Sequence, residues 1–246
     1  MIRFRWQILL GLSLALASLA LYMLHYAVFR DTRNIFINLL SDLAFLPIQV
    51  LFVTLIVSEL LTQRERRARV EKLNMTIGAF FSEVGTALLA CLSDLDPKLD
   101  QIRKALVVAG DWSPQDFDAV SQKLRSYDYA VEIEEADLGD LKLLLAGRRG
   151  FLLQLVQNPN LLEHESFTEL LRAVFHLTEE LVVREELADL PPTDYRHISG
   201  DVSRAYVLLV HQWLGYMRHL CDEYPYLFSL AMRTNPFDRE ASPVVT

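Results

Sequence analysis

The first feature of this sequence that could do chemistry is a carboxylate inside an otherwise uncharged stretch. Asp42 is the single charged residue in residues 34–58. Insertion scales assign a cost of about 2.5–3.5 kcal/mol to an ionised group at the centre of a membrane span. Helical spacing places Asn38, Ser41 and Gln49 on the same side of a helix as Asp42. The sequence therefore predicts an intramembrane polar stripe on an apolar helix.

Two interpretations of this polar stripe stay open. If the chain folds back near residues 31–32, Tyr22 comes opposite Asp42 and His25 comes opposite Asn38. Interhelical hydrogen bonds would then satisfy these polar groups and lock two helices together as a clasp. The clasp is the preferred interpretation, because two helices alone cannot enclose a pathway. The alternative is an oligomeric channel or transporter component in which Asp42 responds to protons or ions.

Histidines are the second group of residues with chemical potential. His211, His219 and Asp222 share one face of a predicted helix, and His176 with Glu179 forms an H-x-x-E pair. Metal sites in helical bundles use Glu-x-x-His pairs from facing helices. The sequence contains no E-x-x-H, and we therefore predict no metal site and no cofactor.

Arg204 and His211 form the third candidate. Their spacing resembles the R-x(4–6)-H signature of HEPN-type ribonucleases, all-helical proteins in which His assists proton transfer and Arg steadies the phosphate. Such a short pattern is expected by chance in a chain of this length. Ala205 follows the Arg where that family favours a polar residue. A membrane-tethered ribonuclease is therefore kept as a second alternative.

Sequence motifs of common enzymes are absent. The sequence has no G-x-x-x-x-G-K-[ST], G-x-G-x-x-G, G-x-S-x-G or H-E-x-x-H. We therefore predict a non-enzymatic protein with no catalytic residue. A seam of small residues, Gly78, Ser82 and Gly85, indicates close helix packing, more often within one chain than between two.

Helices must position these candidate residues, and the helices predicted most clearly are two uncharged stretches near the N-terminus. Residues 6–29 and 34–58 are each long enough to cross a bilayer core of about 30 Å as a helix. The first is longer than the roughly 7–15 apolar residues of a cleaved signal peptide. The two stretches therefore predict a transmembrane helical hairpin.

Basic residues on the outer flanks predict the orientation of this hairpin. Arg3 and Arg5 precede the first stretch, and a longer basic cluster follows the second. That cluster consists of Arg64, Arg66, Arg67, Arg69 and Lys72. Under the positive-inside rule both termini lie in the cytoplasm. The cluster would also lie at the height of anionic lipid headgroups, where each charge contributes about 1 kcal/mol.

The rest of the chain is acidic and helical in pattern. The net charge is −8, and acidic residues outnumber basic ones after residue 94. Phosphate backbones repel such a surface, which argues against nucleic acid as a partner. The expected partners are the lipid bilayer and other proteins, or a second copy of this chain. Cys91 and Cys221 lack C-x-x-C spacing and are predicted to be reduced thiols in the cytosol.

The predicted fold is all-α, a transmembrane hairpin (1–58) followed by a cytoplasmic multi-helix bundle. A juxtamembrane helix (59–93) continues from the second span, an acidic α-helical domain follows (94–233), and the tail (234–246) is predicted to be disordered. Proline, glycine and asparagine positions separate the later helices. These are predicted over 97–109, from 113 onward, and over 138–157, 166–188, 194–223 and 227–233, with a loop at 127–135.

Three segments resemble a family of uncharacterised prokaryotic two-span membrane proteins with a helical cytoplasmic domain. They are SDLAFLPIQVL at 41–51, NPNLLEHE at 158–165 and YPYLF at 224–228. The resemblance implies a multi-pass protein of the cytoplasmic (inner) membrane and implies no activity. The favoured function is accordingly a non-enzymatic interaction, sensor or scaffold/accessory module.

Overall fold

The computed structural model describes residues 2–30, 32–161 and 164–244, which are helical and contain no strand. The chain divides into two units, residues 1–66 and 67–246. Helices α1 to α5 span Ile2–Phe29, Thr32–Phe80, Thr86–Asp94, Asp100–Leu106 and Pro114–Ser126. Helices α6 to α10 span Glu135–Ala146, Arg149–Val156, Glu165–Val183, Pro192–Glu223 and Pro225–Arg233. A π-helical turn, Phe81–Gly85, joins α2 to α3, and a 3-10 turn, Pro159–Leu161, precedes α8.

The first unit contains α1 and the N-terminal part of α2. Most of its described apolar side chains are exposed, including Leu21, Phe36 and Leu40. The continuous helical stretch Arg33–Asp94 contains a window of mean hydropathy 2.1, of which no part is buried, and this window is long enough to cross a membrane. In α1, the apolar stretch whose side chains are described, Leu12–Val28, is shorter than that window. The two-span hairpin therefore stays a prediction.

The core of the second unit begins in the C-terminal part of α2. Ile77 and Phe80 of α2, Phe81 of the π-helical turn and Leu88 of α3 are buried, as their helical spacing predicts. The Phe80 ring meets the Phe167 ring of α8 edge to face at a centroid distance of 5.6 Å. These buried apolar side chains of α2, the π-helical turn and α3 therefore form one wall of the core.

Helices α8 and α9 form the opposite wall and pack antiparallel. His176 of α8 lies near Asp201 of α9, and further along α8 Arg184 pairs with Asp194 at the start of α9. The range of α9 agrees closely with the predicted 194–223, whereas α8 starts as predicted but ends at Val183, before the end of the predicted 166–188. The buried residues of α9 recur at helical spacing and include Trp213.

Two predictions about the helical domain are wrong. The single helix predicted over 138–157 is two helices, because the backbone leaves helical geometry at Arg148 (φ −110°, ψ 0°) and α7 starts again at Arg149. Arg148 forms an ion pair with Glu83, and Arg149 binds both carboxylate oxygens of Glu179. The break directs Leu152 into the core.

The second difference concerns the start of the tail, because the disorder predicted over 234–246 does not hold for Asn235 and Phe237. Asn235 and Phe237 are buried, and the Phe237 ring meets the Trp213 ring at a centroid distance of 5.0 Å. The Asn235 side chain donates to the Leu106 carbonyl and accepts from the Phe237 N–H, both at 2.9 Å. These contacts anchor the segment after α10, whereas residues 245–246 lie outside the described residues.

Candidate functional site

An apolar cavity of about 580 Å³ lies in the second unit, where three helical segments meet. Its walls come from the end of α2 with the π-helical turn, from the C-terminal part of α9 and from α10. This volume falls within the roughly 300–1,000 Å³ typical of small-molecule sites. We refer to it below as the apolar cavity.

The π-helical turn shapes one wall of the apolar cavity. The Thr86 N–H donates to the carbonyl of Phe81, five residues earlier in the chain. The Phe81 ring stacks on Tyr216 of α9, with a centroid distance of 4.9 Å and an interplanar angle of 10°. Gly78 lies beside the Tyr216 ring, and a Cβ added at Gly78 would be 3.7 Å from this ring, an ordinary contact distance. Such turns occur frequently at functional sites.

The small-residue seam predicted from the sequence serves this turn. A Cβ at Gly85 would lie 2.7 Å from the Phe81 ring and 2.8 Å from the Phe80 ring, so the two aromatic side chains require glycine there. Ser82 and Gly78 line the cavity itself. The seam therefore packs within the second unit.

A polar pair stands inside the otherwise apolar wall. The Asn74 Nδ2 and His219 Nδ1 atoms are 3.3 Å apart, and the His219 ring meets the Tyr224 ring edge to face at 5.6 Å. An amide nitrogen only donates, so His219 Nδ1 is the acceptor in this pair. The Nε2 atom is buried and has no hydrogen-bond partner among the described residues. This atom therefore belongs to the buried wall of the apolar cavity and not to its accessible surface.

Charge is absent from the described lining of the apolar cavity, which contains no Asp, Glu, Lys or Arg. Exposed apolar side chains surround its opening, among them Met75, Tyr226, Leu227 and Leu230. Burial raises the pKa of the Tyr216 hydroxyl above its ordinary value, so this group stays neutral near neutral pH. The arrangement can hold an uncharged, largely apolar molecule.

The predicted polar stripe lies on α2 in the first unit. Asn38, Asp42 and Gln49 are exposed there, and the Ser41 hydroxyl donates to the Ile37 carbonyl at 3.0 Å. This bond runs within the helix, as is common for Ser in apolar helices. Whether the stripe acts as a clasp or as part of a channel stays a prediction.

The predicted partners of the stripe and the basic cluster are also placed. Tyr22 and His25 are half-buried on α1. The five basic side chains of the cluster are exposed along α2. They are Arg64, Arg66, Arg67, Arg69 and Lys72. Contact of this cluster with lipid stays a prediction.

Arg204 and His211 of α9 have different partners. Arg204 donates to Oδ1 of Asp201 at 3.2 Å, whereas His211 packs against Tyr129 with a centroid distance of 6.2 Å. Burial and, to a smaller extent, the positive charge of Arg125 hold the pKa of His211 below its ordinary value. The ribonuclease alternative stays a prediction.

The members of each of the other predicted histidine groups do not lie together in the structure. His219 lies in the apolar cavity, while His211 packs against Tyr129, so each has its own surroundings. Glu179 pairs with Arg149, and His176 instead lies 3.3 Å from Asp201. Neither set predicted from sequence forms a joint site.

The apolar cavity itself was not predicted. Asn74 and Tyr216 are ordinary residues in sequence, and the histidine pattern grouped His219 with the wrong partners. One feature did indicate the region, namely the small-residue seam. It does not specify that a void remains between the helices, because this depends on how α10 packs.

Comparison with known proteins gives two matches that together cover most of the chain. Residues 69–233 match the family described as "Uncharacterized protein MJ1433, C-terminal helical domain", and residues 2–61 match "MJ1433, N-terminal helical domain". The boundary between these matches agrees with the division of the structure after Arg66. The matches assign no activity.

A full-length relative has the same extent. The chain is 44% identical over 237 residues to "Uncharacterized protein MJ1433" of Methanocaldococcus jannaschii, covering 96% of this chain and 95% of the relative. No solved structure matches the chain.

Proposed function

We propose that this chain, which belongs to the MJ1433 family, is a membrane-anchored sensor of a small apolar ligand. The family combines an N-terminal and a C-terminal helical domain. The first unit anchors the chain in the cytoplasmic membrane, and the second unit binds the ligand. The protein acts through protein contacts and performs no catalysis. The observation that carries the proposal is the apolar cavity, whose described lining contains no charged side chain.

The exposed apolar surface of the first unit supports the membrane anchor. In the first unit, most of the described Leu, Ile, Val and Phe side chains are exposed on all sides of the helices, including Leu24, Leu43 and Val53. A helix that is apolar all round belongs either in a protein core or in a membrane. None of the apolar window of α2 is buried in protein, so the lipid bilayer is its appropriate surroundings.

The distribution of basic residues supports the orientation. Arg3 and Arg5 precede α1's apolar stretch, and the basic cluster of five residues follows that of α2. With two spans, the positive-inside rule then places both termini and the helical domain in the cytoplasm. The acidic surface of this domain opposes contact with nucleic acid.

The lining of the apolar cavity defines the class of ligand. Without a charged group to pair with, an ionised ligand would lose its hydration and gain nothing in exchange. The stacked Phe81 and Tyr216 rings favour a flat or aromatic body.

Ligand binding is tested on the full chain in lipid nanodiscs with the uncharged fluorophore N-phenyl-1-naphthylamine. Trp213 lines the cavity, and in a chain carrying Trp6→Phe and Trp112→Phe it is the energy donor. We expect energy transfer from Trp213 that saturates. Gly78→Leu fills the cavity and should weaken binding at least about tenfold, or about 1.4 kcal/mol.

Gly215→Leu is the matched control for this experiment. Gly215 lies on α9 with no heavy atom within 4 Å of an added Cβ, so the same side chain would point into open space. Its binding curve should match that of the unsubstituted chain, including any fluorophore dissolved in the lipid. Equal binding by both leucine variants would refute the cavity as the ligand site.

Anchoring and orientation are tested in membranes. The chain should stay in the membrane pellet after alkaline carbonate extraction. Protease added to inside-out vesicles should digest the helical domain, whereas protease added outside intact spheroplasts should leave it whole. Release by carbonate would refute the anchor without affecting the ligand proposal, and digestion from outside would refute the orientation.

A further inference from the structure

Away from the apolar cavity, two histidines and a buried aspartate meet between α8 and α9. His176 lies on α8, and His197 and Asp201 lie one turn apart on α9. The Nε2 atoms of His176 and His197 are 3.3 and 3.5 Å from the same oxygen, Oδ2 of Asp201. We propose that this His–Asp cluster binds one divalent transition-metal ion of the zinc type.

The spacing within the His–Asp cluster suits a small metal ion. Zn²⁺ bonds to imidazole nitrogen and carboxylate oxygen at about 2.0–2.2 Å in a tetrahedral arrangement, which separates neighbouring ligand atoms by roughly 3.3–3.5 Å. The two measured distances fall in this range. One ligand atom from each of the three residues lies within 4.8 Å of the others. Little movement is therefore needed to close around an ion.

The burial of Asp201 gives the second, independent argument. Its side chain is 3% exposed, and its Oδ2 atom has no hydrogen-bond partner among the described residues. The two imidazole nitrogens beside this buried oxygen make no hydrogen bond of acceptable geometry to it, and a bound cation would compensate its negative charge. The other oxygen, Oδ1, accepts a hydrogen bond from Nη1 of Arg204 at 3.2 Å. Arg204 thus orients the carboxylate as an outer-sphere partner of the metal.

Glu180 lies beside the His–Asp cluster without completing it. Its carboxylate oxygens are each 3.8 Å from an Nε2 atom of His176 or His197. Arg184, however, holds this carboxylate through a bond of 2.6 Å. Glu180 is therefore a neighbouring charge that attracts the cation, while three residues coordinate it.

The two histidines are about half exposed, so one side of the ion would face solvent. Three protein ligands with an open position are typical of sites where the metal keeps a water molecule or an exchangeable ligand. Two imidazoles favour Zn²⁺, Co²⁺ and Ni²⁺ over Mg²⁺ and Ca²⁺, which prefer oxygen ligands. The site would thus discriminate among divalent ions.

An anion is the competing occupant of this pocket. Arg196 and Arg204 line the opening together with Thr193, and such groups bind phosphate. The carboxylate of Asp201 at the floor opposes an anion in contact with the cluster. The metal is therefore the occupant that the buried group favours, and phosphate enters as an outcome of the test.

The test uses the full chain in nanodiscs, without a polyhistidine tag and freed of metal by a chelator. Titration with Co²⁺ should produce the visible absorption bands of tetrahedral or five-coordinate cobalt at one ion per chain, and Zn²⁺ should displace it. His176→Asn and His197→Asn, which change half-exposed side chains, should each lower the affinity at least about 100-fold, since loss of an outer-sphere partner alone costs 10–100-fold.

His164→Asn is the matched control. It removes an imidazole at the start of α8, away from the cluster, and asparagine is also a good residue at a helix N-terminus. Its affinity for Zn²⁺ should equal that of the unsubstituted chain. Absence of cobalt bands, equal affinity in all three variants, or binding of inorganic phosphate in place of metal would each overturn the proposal.

Discussion

The two units of this chain place the same kinds of side chain in opposite surroundings. In the first unit, Phe52 is 60% exposed and its apolar neighbours on α2 are similarly open, whereas in the second unit Phe80 is completely buried. Soluble monomers seldom expose contiguous apolar patches larger than a few hundred Å². The difference teaches that the second unit makes its own core. On our proposal, the lipid bilayer takes the place of a core for the first.

Matched phenylalanine substitutions should give the largest effect on the free energy of unfolding, and they test whether the two units differ in burial. Phe80→Ala removes a ring that meets both Phe81 and Phe167 edge to face, and it should lower the free energy of unfolding by about 3–5 kcal/mol. Phe52→Ala changes a side chain without such contacts in the core and should cost less than about 0.5 kcal/mol. The measurement is urea unfolding in detergent, followed by tryptophan fluorescence.

Equal losses from Phe80→Ala and Phe52→Ala would contradict the comparison. They would mean that Phe52 is packed against protein, through a second copy of the chain or another partner. Cross-linking of the unsubstituted chain in the membrane would then separate these two cases.

Local sequence chemistry predicted much of the helical domain. Ser113, Pro114 and Asp116 indicated the start of a helix, and the structure has α5 there, with the Ser113 N–H donating to the Asp116 carboxylate at 2.7 Å. The loop predicted at 127–135 is observed over 127–134. Such features depend on neighbouring residues alone, so one sequence suffices to find them.

Features that depend on distant contacts were not predicted. The π-helical turn occurs where Tyr216, far away in sequence, stacks on Phe81. The His–Asp cluster combines His176 on α8 with His197-x-x-x-Asp201 on α9, and each half alone is unremarkable in sequence. The antiparallel register of the two helices brings them together, and no local pattern specifies that register. A search for two such halves on adjacent predicted helices could have found the cluster.

Matched aspartate substitutions should give the next largest effect. Asp96 is buried, and its Oδ2 atom accepts from the Tyr127 and Tyr206 hydroxyls at 2.8 and 3.4 Å. Asp96→Ala leaves the buried Tyr206 hydroxyl without this acceptor and should cost about 1–3 kcal/mol of unfolding free energy. Asp128→Ala removes a solvent-exposed ion pair with Lys98, which water and salt screen, and should change the unfolding free energy little.

The same unfolding experiment measures this second pair. This pair of variants tests whether the second unit, besides burying its apolar side chains, also supplies hydrogen-bond partners for its buried polar groups. A loss from Asp96→Ala no larger than that from Asp128→Ala would mean that water reaches the Tyr206 hydroxyl. The second unit would then be less dry than its apolar core suggests.

The smallest effect concerns alkaline pH and the same tyrosine. Burial, followed by the negative charge of Asp96, raises the pKa of Tyr206 well above its ordinary value. The folded chain then keeps this proton while the unfolded chain loses it near pH 10, so the contribution of Tyr206 is complete below pH 10 and falls as pH rises further. At about pH 10.5 the loss is roughly 0.8 kcal/mol, a value fixed by the unfolded state.

Tyr206→Phe should remove this part of the pH dependence. The difference in unfolding free energy between about pH 8 and pH 10.5 should therefore be smaller in this variant than in the unsubstituted chain by roughly 0.8 kcal/mol. Tyr226→Phe, at a hydroxyl-bearing side chain that is 72% exposed, should leave the difference unchanged. If both variants keep the full pH dependence, Tyr206 ionises as readily in the folded chain as in the unfolded one. The polar part of the core would then resemble the exposed surface of the first unit more than the dry interior around Phe80.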